Sequence, residues 1–128
     1  MINLLYVGIG GFLGANARYI LSNWVVYRLS QWTGVSLPYG TAFVNITGSF
    51  LLAAFIVWAG KRSGFPDGVQ LLIGTGFFGA YTTFSTYANE TIALFRQDWR
   101  LGLGYMIVTN GLCLLGVILG IWFASGGK

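Results

Sequence analysis

Polar and charged side chains recur at regular intervals inside the apolar segments of this 128-residue chain. In the first segment Gly10, Gly14 and Arg18 follow one another at four-residue spacing, which places them on one face of a helix. Small residues at this spacing are typical of close helix packing. A guanidinium inside a membrane span is costly unless it reaches water or protein. Two interpretations of Arg18 therefore stay open: an anion vestibule, and a structural anchor that snorkels to the interface.

The second segment carries a narrow polar stripe at helical spacing, formed by Thr41, Asn45, Gly48 and Ser49. The Asn45 amide combines N–H donors with a carbonyl acceptor, so it can form an interhelical hydrogen bond or contact an anion. The residue types favour the interhelical bond and leave ligand contact open. In the fourth segment Thr109 and Asn110 are similar to Asn45 in this respect. Gly116 and Gly120 repeat the small-residue spacing, and we expect packing to explain most of that helix.

The strongest signal is the stretch GFFGAYTTFSTY at residues 76–87 of the third segment. Its glycines and hydroxyls are crowded together at Gly76, Gly79, Thr82, Thr83, Ser85 and Thr86. Glycine costs about 1 kcal/mol in a helix relative to alanine, and hydroxyls can bond the backbone and bend it. We therefore predict a break in the third helix near Gly76–Thr83. Irregular backbone at this depth must be buried in protein or face a cavity, and its free carbonyls suit a hard cation.

Beyond the predicted break, Thr83, Phe84, Tyr87 and Glu90 follow at intervals that share one helical face. Glu90 is the only Glu of the chain. A carboxylate inside a span requires a polar partner or water. The sequence therefore predicts a polar environment around Glu90.

Composition defines the class of protein that holds these residues, since 55% of the residues are hydrophobic and 8% are charged. A soluble domain carries roughly a quarter charged residues, so the sequence predicts an integral membrane protein. The apolar runs predict an all-α fold and a single transmembrane domain over residues 1–128, with helices at about 2–27, 39–59, 69–95 and 101–124.

The same composition excludes several chemistries. The chain has no His, one Cys and three acidic residues, so we expect neither a transition-metal site nor Ser-His or Cys-His catalysis, and no enzyme activity. Apart from Arg18 within the first segment, its basic residues lie at segment ends rather than in a patch, which favours lipid head groups over nucleic acid as their partner.

Basic residues are balanced between the two ends of the predicted spans. One end holds Lys61, Arg62 and Lys128, and the other holds Arg28, Arg96 and Arg100. Because a Lys/Arg bias sets orientation, a chain without one can insert both ways and assemble as an antiparallel dimer. A fixed orientation set by other factors is the alternative.

Three stretches together resemble the CrcB/Fluc fluoride channels. They are GFLGANARY at residues 11–19, GTAFVNITGSF at 40–50, and GFFG followed by TTFST within 76–86, with Glu90 downstream. The resemblance covers three of the four predicted helices, and the fourth matches only in character.

The resemblance implies a dual-topology antiparallel dimer with two pores in the prokaryotic plasma (inner) membrane. Each pore would pass fluoride in preference to chloride and let cytoplasmic fluoride leave passively, which confers fluoride resistance. The partner is a second copy of the chain or, as in some relatives, an unlike subunit.

The resemblance also implies roles for individual residues. Asn45, Phe84 and Tyr87 would line the pore, with Thr41, Thr83, Ser85 and Glu90 near the ion path and Arg18 at the vestibule. Backbone carbonyls of Gly79 and Thr82 would hold a structural sodium ion at the dimer centre. Two positions depart from the family pattern: Tyr87 stands where Phe is usual, and Leu114 where some relatives have serine.

Two other classes of protein fit part of the pattern. A proton-coupled small multidrug exporter of dual topology needs a carboxylate in the first span, which has none, so Glu90 would have to serve. A membrane subunit that only packs through glycine-lined faces would explain the glycines but not TTFST.

Overall fold

The computed structural model describes residues 1–34 and 37–127, and every regular element within them is helical. The elements in chain order are α1 (Ile2–Thr33), α2 (Tyr39–Gly60), α3 (Asp67–Gln70), a π-helical segment (Leu71–Phe78), α4 (Gly79–Tyr81), α5 (Phe84–Gln97) and α6 (Trp99–Ser125). Lys128, which enters the charge balance above, lies outside the described residues.

Among the described residues, three helices are long and apolar enough to cross a membrane: α1, α2 and α6. The prediction of an all-α chain is therefore confirmed. Helix α1 continues past the predicted end at Tyr27 because Arg28 stays on the helix surface, with its guanidinium 5.9 Å from the centre of the Trp24 ring. The helix ends at Gly34, whose left-handed backbone lets its N–H bond the Ser30 carbonyl at 3.0 Å.

Helix α1 packs closely against the π-helical segment. A side chain added at Gly10 or Gly14 would collide with backbone carbonyl groups of Leu72 and Phe77. The packing role predicted for these two glycines is confirmed. Their contact fixes the height of α1 against the π-helical segment, and with it the height of Arg18 one turn beyond Gly14.

Helix α2 packs along α6 and α1, and it also contacts the π-helical segment, α4 and α5. On α6, Gly116 lies against the Ile46 carbonyl and Gly120 against the Phe50 carbonyl, so the two backbones approach closely. This contact confirms the packing role predicted for Gly116 and Gly120. It also brings the polar stripe of α2 between the third span and α6.

The predicted break in the third helix is observed at Thr82 and Thr83, which both have extended backbone. The glycines are not its location, because Gly76 and Gly79 lie within helix. Gly76 instead allows close packing, since an added Cβ would lie 2.8 Å from the Val7 carbonyl oxygen. The eight-residue π-helical segment that precedes the break is a rare element, of a kind often found at functional sites.

Candidate functional site

Asn45 holds the break in place from the neighbouring helix. The Thr83 amide donates to Asn45 Oδ1 at 2.8 Å, and Asn45 Nδ2 donates to the Thr83 carbonyl at 3.1 Å. The Thr83 amide, which the break leaves without a helical acceptor, is thereby satisfied, and the Thr83 carbonyl at the start of α5 gains a further donor. The structure thus has the interhelical hydrogen bond that the residue types favoured. This pairing uses one Nδ2 hydrogen of Asn45 and leaves the second available.

Thr83 also begins the following helix. Its Oγ1 accepts a hydrogen bond from the Thr86 amide at 3.3 Å, which is the usual role of a threonine before the first turn. The same hydroxyl donates to Thr86 Oγ1 at 3.0 Å and lies 3.4 Å from Ser85 Oγ. Thr82 donates its hydroxyl back to the Phe78 carbonyl at 3.0 Å. Side chains of TTFST therefore stabilise both edges of the break.

A cavity of about 240 Å³, here called the inner cavity, lies between α2, the break and α6. It is lined by Asn45, Gly48, Ser49, Leu52, Thr82, Thr83, Phe84, Tyr87, Thr109, Asn110 and Cys113. Amides, hydroxyls and aromatic rings supply its polar character, and none of these lining side chains carries a formal charge at neutral pH.

A second cavity of about 530 Å³, here called the vestibule cavity, lies between α1, the start of α2 and α5. It is lined by Ala15, Arg18, Tyr19, Ser22, Asn23, Val26, Pro38, Gly40, Thr41, Thr83, Thr86 and Glu90. Thr83 lines both cavities. The break that Asn45 holds therefore forms part of the wall of both cavities.

Glu90 has hydroxyl partners on both carboxylate oxygens. Thr41 donates to Oε1 at 2.7 Å, and Tyr105 donates to Oε2 at 2.9 Å. The polar environment predicted for Glu90 is confirmed. Since the carboxylate accepts both bonds, it fixes the direction of two hydroxyl groups that belong to two different helices.

The two aromatic side chains of α5 differ in their surroundings. The ring centres of Phe84 and Tyr87 are 5.8 Å apart with planes tilted by 48°. Tyr87 is 7% exposed, whereas Phe84 is 77% exposed. The Tyr87 hydroxyl lies 3.4 Å from the Met106 carbonyl oxygen and accepts a hydrogen bond from Asn110. One ring is thus enclosed by the chain, and the other projects from it.

The structure brings together most of the residues singled out in the sequence. Asn45, Thr82, Phe84 and Tyr87 line the inner cavity, Arg18, Thr41 and Glu90 line the vestibule cavity, and Thr83 lines both. Ser85 and Gly79 are exposed and line neither cavity, although Ser85 contacts Thr83. Leu114 is 67% exposed and also lines neither. The α6 residues that reach the inner cavity are instead Thr109, Asn110 and Cys113.

Sequence reasoning missed three partners of these residues. Thr86 bonds Thr83, Tyr105 bonds Glu90, and Asn110 bonds Tyr87. A usable signal was present on α6, where Tyr105, Thr109 and Cys113 follow at four-residue spacing. That stripe lies on the face of α6 that meets α5 and α2, and it identifies the side of the helix that turns inwards.

Comparison with known proteins gives consistent matches over nearly the whole chain. Residues 5–121 match the family described as "CrcB-like protein, Camphor Resistance (CrcB)". A protein of Koribacter versatilis (strain Ellin345) named "Fluoride-specific ion channel FluC" is 45% identical over 115 residues, covering 89% of this chain and 88% of that protein.

Other similar proteins carry the same name. One from Hahella chejuensis (strain KCTC 2396) is 44% identical over 121 residues, covering 93% of this chain and 91% of that protein. One from Roseiflexus sp. (strain RS-1) is 40% identical over 120 residues, covering 93% of this chain and 94% of that protein. With matches of this identity and coverage, the chain belongs to the CrcB-like family.

Proposed function

We propose that this protein is a fluoride-selective channel that lets fluoride leave the cytoplasm passively across the prokaryotic plasma (inner) membrane and so confers fluoride resistance. The observation that carries the proposal is the pair of cavities on either side of the break, which both have Thr83 in their walls. The name shared by the similar proteins, fluoride-specific ion channel, supports the choice of ion.

The lining of the two cavities suits a small, strongly hydrated anion. A pore that admits such an ion must replace its water with hydrogen-bond donors without holding it too tightly to leave. In the vestibule cavity the Arg18 guanidinium attracts anions. In the inner cavity the donors are neutral: the second Nδ2 hydrogen of Asn45, hydroxyls, and the positive ring edges of Phe84 and Tyr87.

Glu90 has a supporting role in this account. Its oxygens already accept bonds from Thr41 and Tyr105, so its negative charge is directed at hydroxyl donors. Glu90 thus fixes the direction of the Thr41 hydroxyl in the vestibule cavity. Ser85 offers a further hydroxyl beside Thr83.

A second copy of the chain in antiparallel orientation completes the pore. The two halves of the broken third helix, residues 67–81 and 84–97, together make one crossing of the membrane. With α1, α2 and α6 the chain then crosses the membrane four times. Polar side chains are costly in lipid, yet Ser85 and Thr86, which follow the break directly, are exposed in the single chain. A partner of opposite orientation covers them, in agreement with the balanced basic residues. An unlike subunit would cover the same face.

The break also suits a structural sodium ion. In a continuous helix the amides of Thr83 and Thr86 would bond the carbonyls of Gly79 and Thr82. Here these amides donate to Asn45 and to the Thr83 hydroxyl, which leaves both carbonyls without their helical partners. Carbonyl oxygens of this kind are ligands for hard cations, and two antiparallel copies would supply two pairs. Sodium bound by both copies would stabilise the dimer. Replacing sodium with N-methylglucamine should therefore lower dimer stability, and unchanged dimer stability would contradict the sodium site.

The exporter interpretation is not favoured. The first span supplies no carboxylate, and both oxygens of Glu90 are engaged by hydroxyls. The similar proteins are named as ion channels.

Ion efflux from liposomes that contain the purified protein tests the proposal. A fluoride electrode and a chloride electrode record the two anions in parallel, and a pH-sensitive dye records proton movement. We expect rapid fluoride efflux, slow chloride efflux and no obligatory proton coupling. Comparable rates for the two anions would contradict a selective channel, and obligatory proton coupling would favour the exporter.

A further inference from the structure

We propose that Asn110 is a positioning residue for the ring of Tyr87, and that its hydrogen bond to the Tyr87 hydroxyl holds the ring edge towards the inner cavity. The inference rests on the proposed channel function and adds to it a residue on α6. Both side chains line the inner cavity, and neither element can hold the ring alone, because Tyr87 projects from α5 and Asn110 from α6.

The hydrogen bonds fix the orientation of the Asn110 amide. Its Nδ2 lies 2.7 Å from the Met106 carbonyl oxygen, which can only accept, so the nitrogen and not the oxygen of the amide must be there. The second Nδ2 hydrogen is donated to the Tyr87 hydroxyl oxygen. The Tyr87 hydroxyl in turn points at the Met106 carbonyl, 3.4 Å away. The three groups form one closed cluster on the wall of the cavity.

This cluster explains how a tyrosine can stand where the family pattern has phenylalanine. The hydroxyl is engaged by α6, so the part of Tyr87 left to face the ion path is the edge of its ring. The ring axis is fixed at both ends, by the α5 backbone and by Asn110. Phe84 has no such polar tether and is 77% exposed. Replacing Tyr87 with phenylalanine removes the hydrogen bond between positions 87 and 110, and so does removing the Asn110 amide.

A double-mutant cycle in liposomes tests the inference. We expect Asn110→Ala and Tyr87→Phe each to lower fluoride flux by about fivefold, the factor that corresponds to one neutral hydrogen bond of about 1 kcal/mol. Since both changes remove the same bond, the double variant should have the same flux as either single variant. If the two effects multiply in the double variant, Asn110 does not act through the hydroxyl and the inference is overturned.

Asn16→Ala provides the matched control. Asn16 donates from Nδ2 to the Phe12 carbonyl at 2.7 Å, the same local bond that Asn110 makes to Met106, but it lies on α1 and lines neither cavity. Its flux should equal that of the wild type. If Asn110→Ala fails to yield folded protein, Asn110→Leu keeps the side-chain volume and replaces it in the cycle.

Thermal unfolding of the same four proteins separates this inference from the proposed function. Non-additive changes in the unfolding midpoint of the Asn110 and Tyr87 variants report the hydrogen bond between the two residues, whether or not the protein conducts fluoride. Wild-type protein without fluoride flux would overturn the channel function. Wild-type flux with no coupling in either measurement would overturn the role of Asn110 alone.

Discussion

The vestibule cavity and the inner cavity differ in size and in the charge of their walls. The vestibule cavity is about 530 Å³ and contains Arg18 and Glu90, whereas the inner cavity is about 240 Å³ and is lined by neutral side chains. A charge in a wide space attracts an ion, while the same charge in a narrow space would bind the ion too tightly for it to leave. In the proposed channel, attraction and passage of the anion therefore belong to different parts of the molecule.

The two cavities also differ in what builds them. The vestibule cavity depends on α1, whose position against the third span is set by glycines such as Gly10 and Gly14. The inner cavity depends on the contact of α2 with α6 and on the hydrogen bonds at the break. Thr83, held by Asn45, belongs to both. Changes at the shared point should therefore have larger effects than changes on either side.

The largest effect is expected from Asn45→Leu, which removes both hydrogen bonds to the Thr83 backbone. The Thr83 amide loses its acceptor, and a buried amide left unpaired costs about 1–3 kcal/mol, so fluoride flux should fall by up to about a hundredfold. Asn16→Leu makes the same chemical change at an exposed position of α1 and should leave flux unchanged. Near-normal flux in Asn45→Leu, with an unaltered size-exclusion profile in both variants, would remove Asn45 from the pathway.

A smaller loss is expected from Phe84→Leu, which keeps an apolar side chain but removes the ring edge at the inner cavity. Aromatic contacts of this kind contribute roughly 0.5–1.5 kcal/mol, so fluoride flux should fall by about tenfold at most. Phe12→Leu is the control, since Phe12 is an exposed phenylalanine of α1 outside both cavities. Equal flux in the two variants would show that the neutral ring edge of Phe84 plays no part in passage.

The smallest effect, and one that depends on salt, is expected from Arg18→Gln in the vestibule cavity. Loss of the guanidinium should lower fluoride flux a few-fold at about 0.01 M ionic strength and hardly at all near 1 M, where charges are screened within about 3 Å. The Asn45→Leu effect should be the same at both ionic strengths. If the Arg18→Gln effect does not change with salt, Arg18 acts by packing and the contrast between the cavities fails.

The features that were predicted correctly from the sequence involve polar groups that must have hydrogen-bond partners at membrane depth. TTFST predicts a break because hydroxyls can replace helical hydrogen bonds, and Glu90 predicts polar partners because a lone carboxylate is too costly in a span. Asn45 was identified for the same reason. In each case the requirement is local, so it can be recognised before the fold is known.

The features that sequence reasoning missed depend on the register between helices. Gly76 looks like part of the break, but it serves the close approach of α1. Asn110 bonds Tyr87, and Tyr105 bonds Glu90. Both bonds depend on the height of α6 against α2, which the close contacts of Gly116 and Gly120 set. The π-helical segment likewise has no distinct residue pattern. Such pairings follow from tertiary contacts, which the spacing within one helix does not specify.

Fluoride efflux through variants of Thr83, the residue that lines both cavities, tests most directly whether one pathway runs through them. Thr83→Val keeps the side-chain shape but removes the hydroxyl, and Thr83→Ser keeps the hydroxyl. Thr91→Val is the control on the same helix, because the Thr91 hydroxyl only bonds the Tyr87 carbonyl at 2.7 Å. We expect Thr83→Val to lose most fluoride flux, while Thr83→Ser and Thr91→Val conduct like the wild type. Wild-type flux in Thr83→Val would contradict a single pathway through both cavities.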